Sequence, residues 1–340
     1  MRPSPFISLV GLVLLGLPAC DGCHGRPVPE AASAAGDLEH LRPRYQAALT
    51  RARAWLDGLE LDPLELREHG IKGKKKLVEL LDAYHRLWLV APEAERPALL
   101  ARVESVAAVT QEDRYHDMLS LDERAFRQDA TSYLRAALLL ERLGLDTRRY
   151  RLEIRSIHPR LNDHMPRRGP HQRRTFHWYY EHFGLQEPFP LETALTRGVI
   201  AGRPDPTGLD AHGAYALTHE IYALTQYGDR PELATFVPEE RSYLEVALPL
   251  LLMRSVRQGD PDLGGELLEC MHLLGLSADP SYRLGVEFLL DAQNQDGSWG
   301  RYEREREQLG ALVRPAYQLH TTLVAVAALS AVFDRPRPPR

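Results

Sequence analysis

Apolar residues recur at three- and four-residue spacing along most of the chain, and no useful length alternates with period two. The pattern predicts an all-α protein. Leu41, Tyr45, Leu49, Ala52 and Leu56 mark one face of a helix over 38–59. Segments 77–90 and 94–109 predict a helical hairpin. A helix over 125–143 follows, with Asp122 as its N-cap and Gly144 as its stop. Further helices are expected over 176–183, 191–199, 211–227 and 243–256. Near the end, Leu267, Leu268, Met271 and Leu274 mark a helix that carries Cys270. Val286 to Leu290 mark the next, which stops at Gln295-Asp296-Gly297. Leu319, Leu323, Val326, Ala327 and Leu329 mark a last helix, apolar nearly all round and so expected to be an inner one.

Two stretches interrupt this pattern. Lys72, Lys74, Lys75 and Lys76 are the only lysines in the chain, and they read as a solvated helix start. Contact with an anionic lipid or another polyanion is the sharper alternative. Between Arg148 and Arg174 there are nine arginines against Glu153 and Asp163. Pro159, Pro166, Gly169 and Pro170 divide this region into short pieces. An anion-binding rim and a surface hairpin with ion-paired arginines both fit it. Its histidines, His158, His164 and His171, are expected to face solvent.

The first residues change the picture from fold to address. Arg2 precedes twelve mostly apolar residues, Phe6 to Leu17, too few to span a bilayer. They lead to Leu17-Pro18-Ala19-Cys20, which resembles a bacterial lipobox. Residues 1–19 are therefore expected to be a signal peptide and Cys20 a lipidated N-terminus. An ordinary secretory signal cleaved near Ala19 is the alternative. Residues 20–36, rich in Gly, Pro and Ala, read as a flexible tether, with Cys23 and His24 solvated. The helical domain then occupies 37–340. The formal net charge is −5. An exported, mildly acidic chain is a poor candidate for nucleic-acid binding.

Residues 293–300 read QNQDGSWG, and Tyr317-Gln318-Leu319-His320-Thr321-Thr322 leads into Ala328-Leu329-Ser330. The first resembles the QxxDGSWG motif of terpenoid cyclases. The second resembles the YHT…GLS helix of protein prenyltransferase β subunits. The resemblance is concentrated in 210–334. It implies an α/α toroid, a ring of helical hairpins around a central cavity, with Asp296, Gly297, Trp299 and Gly300 as a structural turn. It also implies a zinc ion held by an upstream cysteine and this histidine, here Cys270 and His320. Position 268 is leucine where the family has aspartate, and the cyclase DxDD motif is absent. Ala214-Tyr215-Ala216-Leu217-Thr218-His219-Glu220 echoes the segment around His320 about one hundred residues earlier, as repeated hairpins would.

Three ligands plus water is the usual catalytic zinc set, and His219 is the expected third. Glu220 and Glu266 are candidate proton carriers, with Asp262 or Glu266 as a further ligand. Alternatively, Cys270 is a small buried hydrophobe and both histidines are satisfied core groups. There is no HExxH, GxSxG, P-loop or GxGxxG. Two functions follow. One is a membrane-anchored lipoprotein on the periplasmic face or cell surface, its toroid a non-catalytic scaffold for a small-molecule, peptide or glycan ligand. The other is an exported zinc-dependent enzyme acting in the cavity. If Cys20 is the anchor, metabolic labelling with a fatty acid marks the wild-type protein and not Cys20→Ser. Equal labelling of both, or of neither, refutes the anchor.

Overall fold

The computed structural model describes residues 38–68, 72–188, 190, 198–231, 234–301 and 314–334. The signal, the tether, Cys20, Cys23 and His24 lie outside these residues, as does most of the helix expected over 191–199. Among the described residues the structure is helical, with no strand. No described helix is long and apolar enough to cross a membrane.

The described α-helices are α1 (Arg42–Asp57), α2 (Pro63–Glu68), α3 (Gly73–Val90), α4 (Arg96–Ala107), α5 (Glu123–Arg142), α6 (Arg148–His164) and α7 (Pro170–Phe183). There follow α8 (Val199–Gly202), α9 (Ala211–Leu224), α10 (Pro238–Gln258), α11 (Pro261–Leu273), α12 (Pro280–Asp291) and α13 (Arg314–Asp334). Helix α3 packs against α5, α5 against α7, α7 against α9, α9 against α11, α11 against α13, and α13 against α3. The other long helices lie outside these: α4 on α3, α6 on α5, α10 and α12 on α11, and α1 on α13. The division follows from side-chain chemistry. Helix α11 is buried along nearly its whole length, and so is α3 from Gly73 to Leu87. Helices α1 and α4 bury only a stripe.

Several expectations are corrected. The lysine run is solvated only in part: Lys72 is exposed and Lys75 half-buried, but Lys74 and Lys76 are buried. Gly73 begins α3 where a Cβ would meet the Pro63 carbonyl oxygen at 1.7 Å, so α2 crosses here at backbone distance. Lys74 is consequently buried. Its ammonium donates to the Tyr115 carbonyl, sits 2.8 Å from Asp117 Oδ1, and lies over the Tyr115 ring. The arginine-rich stretch is not broken at Pro159, which lies inside α6. Proline keeps a helical φ and removes one hydrogen bond, here to the carbonyl of exposed Arg155. His164 does not face solvent: it is buried against Phe126 and pairs with Glu123 at 2.8 Å.

The turn at 293–300 joins three helices. Gly297 has φ +97°, and a Cβ there would sit 2.4 Å from the Arg51 carbonyl oxygen of α1. The Gln293 amide donates to Ala48 O at 2.8 Å, also on α1. Trp299 is fully buried. Its indole N–H donates to Leu289 O of α12 at 2.7 Å, and its backbone N–H donates to Thr322 Oγ1 of α13 at 3.0 Å. Trp299→Ala would remove a large buried ring and orphan the Leu289 carbonyl. It should lower unfolding free energy by about 3–5 kcal/mol in a denaturant titration; an unchanged midpoint would mean the ring carries no packing load.

Candidate functional site

Helices α3, α5, α7, α9, α11 and α13 all contribute side chains to one cavity of about 250 Å³. Its wall carries Lys75, Glu79, Asp82 and Arg86 from α3, Arg135 from α5 and Tyr179 from α7. His219 and Tyr222 come from α9, Glu266 and Glu269 from α11, and His320, Leu323, Val324 and Ala327 from α13. Tyr227 enters from the turn after α9. Gln226, Tyr227 and Gly228 take successive positive φ values of 51°, 58° and 78°, a conformation that costs energy at the two non-glycine positions. The turn aims the Tyr227 carbonyl at Arg86, whose guanidinium donates to it, and stacks the Tyr227 ring on Tyr222.

One pole of the cavity is built from guanidinium and carboxylate groups. Arg135 Nη2 reaches Asp82 Oδ1 at 3.0 Å and Oδ2 at 2.8 Å, and Arg135 Nε reaches Oδ2 at 3.2 Å. Burial alone would raise the Asp82 pKa; Arg135 and Arg86 outweigh it and hold the carboxyl below its usual range. Arg86 is ringed at 3.8–4.0 Å by Asp82, Asp229 and Glu269, too far for direct hydrogen bonds. Tyr222 donates to Glu269 Oε2 at 3.0 Å. Among the described residues, four buried polar atoms here have no hydrogen-bond partner: Arg86 Nε and Nη1, Arg135 Nη1 and Glu269 Oε1.

The other pole holds both sequence-predicted histidines. His320 Nδ1 is 3.2 Å from Glu79 Oε1, and its Nε2 is 3.8 Å from Asp262 Oδ1 and 3.9 Å from Glu266 Oε1. His219 Nε2 approaches the same Glu266 oxygen at 3.5 Å. Glu266 is otherwise buried and accepts from the Thr218 hydroxyl. Lys76 and Lys75 hold Glu79 at 2.7 and 3.2 Å. Burial raises the Glu79 pKa, yet His320 and the two ammonium groups more than reverse this and leave it far below the usual carboxylate range. Burial opposes protonation of His320, but Asp262 and Glu79 overcome it and raise its pKa. About a third of the ring remains open, toward the cavity.

The expected zinc ligands do not assemble. Cys270 is fully buried, lies outside the cavity wall, and its sulfur faces the Thr218 carbonyl at 3.8 Å. Burial, with Glu266 and Glu269 nearby, raises its thiol pKa well above the ordinary value, which disfavours the thiolate a metal needs. Among the described residues no group of three His, Cys, Asp or Glu side chains is disposed to hold a metal ion. These residues therefore do not fit a Cys–His–His zinc centre. Glu220 is also elsewhere. Its carboxylate accepts from Val199 N at 2.6 Å and Ile200 N at 2.9 Å, capping the short helix α8. His272, on another face of α11, is 2.9 Å from the Tyr282 hydroxyl.

A family described as a domain of unknown function, DUF6895, matches residues 45–330. The chain belongs to the DUF6895 family. The match runs from within α1 into α13 and includes every residue of the cavity wall. No curated protein and no solved structure matches the chain.

Sequence reading missed Glu79, Asp82, Arg86, Arg135 and Glu269. A signal for them was present. Lys75, Glu79, Asp82 and Arg86 follow 4-3-4 spacing on a helix rich in Leu, Val and aromatic residues. Arg135 likewise interrupts ATSYLRAALLL, and Glu266 and Glu269 share one face of GGELLECMHLL. A charged stripe on a helix buried all round must face a polar interior.

The Glu79–His320 pair sets a pH dependence. Glu79 is lowered from 4.5, so its contribution is present above that value and lost as pH falls through the folded pKa. His320 is raised from 6.5, so its contribution is complete below that value and lost as pH rises through the higher folded pKa. The pair therefore stabilises most between about pH 4.5 and 6.5. In urea titrations, wild type should lose stability relative to His320→Gln as pH rises from 6 to 8.5. Parallel pH profiles for the two would show that the pair is not coupled.

Proposed function

We propose that this protein is an exported, lipid-anchored α/α-toroid protein that binds a small polar ligand in its central cavity. The packing order supports the toroid: six helices meet in sequence, and the last meets the first. Outer helices back them, and the conformation of the 293–300 turn is consistent with the motif it resembles. The lipobox-like residues Leu17 to Cys20 support export and anchoring.

The observation that carries ligand binding is the set of unpartnered polar atoms at the Arg86–Arg135–Glu269 pole. An unsatisfied buried polar atom costs about 1–3 kcal/mol, and a ligand bearing both donors and acceptors offsets that cost. Cations and carboxylates nearly balance on the wall, so a largely uncharged, hydroxyl-rich group suits it. Tyr179, Tyr222 and Tyr227 supply flat surfaces beside these polar groups.

The His320 pole favours a second reading, an acid–base enzyme without a metal step. A protonated imidazole beside Glu79, and a second imidazole sharing Glu266 with it, can give and take a proton across the cavity mouth. The binding reading requires fewer groups to act and is preferred.

Small saccharides and short peptides, screened by thermal melting of the full-length protein, test it. A ligand at 100 times its Kd should add about 2.7 kcal/mol of stability. Ala327→Phe, which places a ring into the cavity, should abolish that gain while the unliganded melt remains cooperative. A ligand-induced gain that survives Ala327→Phe would place binding elsewhere, and no gain with any member of either set would refute the reading.

A further inference from the structure

A second concavity of about 760 Å³ shares Lys75, Thr131 and Ser132 with the wall of the central cavity, and so forms a vestibule to it. Its wall carries Lys72, Arg124, Arg127, Arg167 and Arg168. Among the described residues none of these five lies within ion-pair distance of a carboxylate. The one acid there, Glu123, is taken by His164 at 2.8 Å, with Arg160 at 3.8 Å. Several arginines elsewhere, among them Arg42, Arg53, Arg135, Arg142 and Arg151, do have an acidic partner.

Placement adds to the imbalance. Arg124 lies in the first turn of α5 and Lys72 immediately precedes α3, where the helix dipole is itself positive. Among the described residues Arg168 Nε is buried without a hydrogen-bond partner, while its Nη2 donates to the Arg127 carbonyl at 2.7 Å; burial, and then the like charge of Arg127, lowers its pKa. The concavity is too large for one small anion. Guanidinium groups at several positions suit repeated carboxylates or comparable anions.

We propose that the vestibule and cavity together bind an acidic oligosaccharide, the vestibule holding its carboxylate groups while a hydroxylated ring enters the central cavity. The proposal rests on the cavity reading above and extends it to a ligand class. The balanced, tyrosine-lined cavity asks for hydroxyl groups, and the unpaired cations outside ask for repeated negative charge. An acidic glycan presents both on one chain.

The test uses the full-length protein and three probes in calorimetry: a hexamer of galacturonate, the same hexamer with its carboxyl groups reduced to alcohols, and inorganic polyphosphate of similar charge. The galacturonate hexamer should bind at least tenfold more tightly than its reduced counterpart, and more tightly than polyphosphate. Its affinity should fall with added salt, because the vestibule is open to solvent. Arg124 and Arg127 are exposed, so R124A/R127A should fold normally and bind the uronate at least tenfold more weakly, with the reduced hexamer unaffected. Equal affinity for the two hexamers, or uronate binding unchanged in R124A/R127A, would overturn the vestibule assignment and leave the cavity reading standing. Tighter binding of polyphosphate would overturn the glycan assignment. Binding of neither hexamer would overturn the proposal, and a small ligand blocked by Ala327→Phe would still preserve the cavity reading.

Discussion

Asp82 and Arg135 face each other across the interior, and the surrounding wall has to keep that charge compensated. Each group alone would be expensive to bury. Together they fix the approach of α3 to α5, and Arg86 extends the arrangement toward Asp229 and Glu269. Removing one partner from such a pair typically costs about 3–5 kcal/mol, because the other charge remains. The interior therefore cannot drift toward an ordinary apolar core by single substitutions. Its polarity has a spatial order: guanidinium groups dominate one pole and imidazole–carboxylate pairs the other.

The seating of α13 depends on a different region. The turn around Gly297 and Trp299 receives groups from α1, α12 and α13 at once. Arg42 extends this clasp with a 2.9 Å bond to the Phe333 carbonyl, and the Tyr45 ring stacks on Phe333 at 4.7 Å. These contacts are local in space and bind no part of the cavity directly. They determine whether α13 is held against α3, and hence whether His320 stands opposite Glu79.

Helical periodicity made the body of the fold readable, because α1, α4, α5 and α10 each show a face or a fully apolar run. The capping aspartate was readable too: Asp122 accepts from Ala125 N at 2.8 Å. The echo between the segments around His219 and His320 pointed to two residues that do share a cavity. Cys270 was misleading because spacing places it on a buried helix without saying which side it faces. It lies four residues from Glu266, yet Glu266 reaches the cavity and Cys270 does not. Glu220 was misleading because neighbouring positions on a helix differ by about 100°, which turns it from His219 toward α8. Lys74 and Lys76 were unreadable, since their burial depends on Tyr115, Asp117 and Glu79, brought there by tertiary packing.

The clasp between Arg42 and Asp334 spans 292 positions of sequence. Contacts of such separation form late, because the chain must close a very large loop before they repay its entropy. Until α13 docks, the apolar stripe of α1 lacks the main helix it packs against, and the inner faces of α3 and α11 that meet α13 stand open to water. A chain in which α13 has not yet docked is therefore sticky and uncapped. Exposure to holding chaperones, and susceptibility to proteases, should be concentrated in that interval rather than in the finished protein.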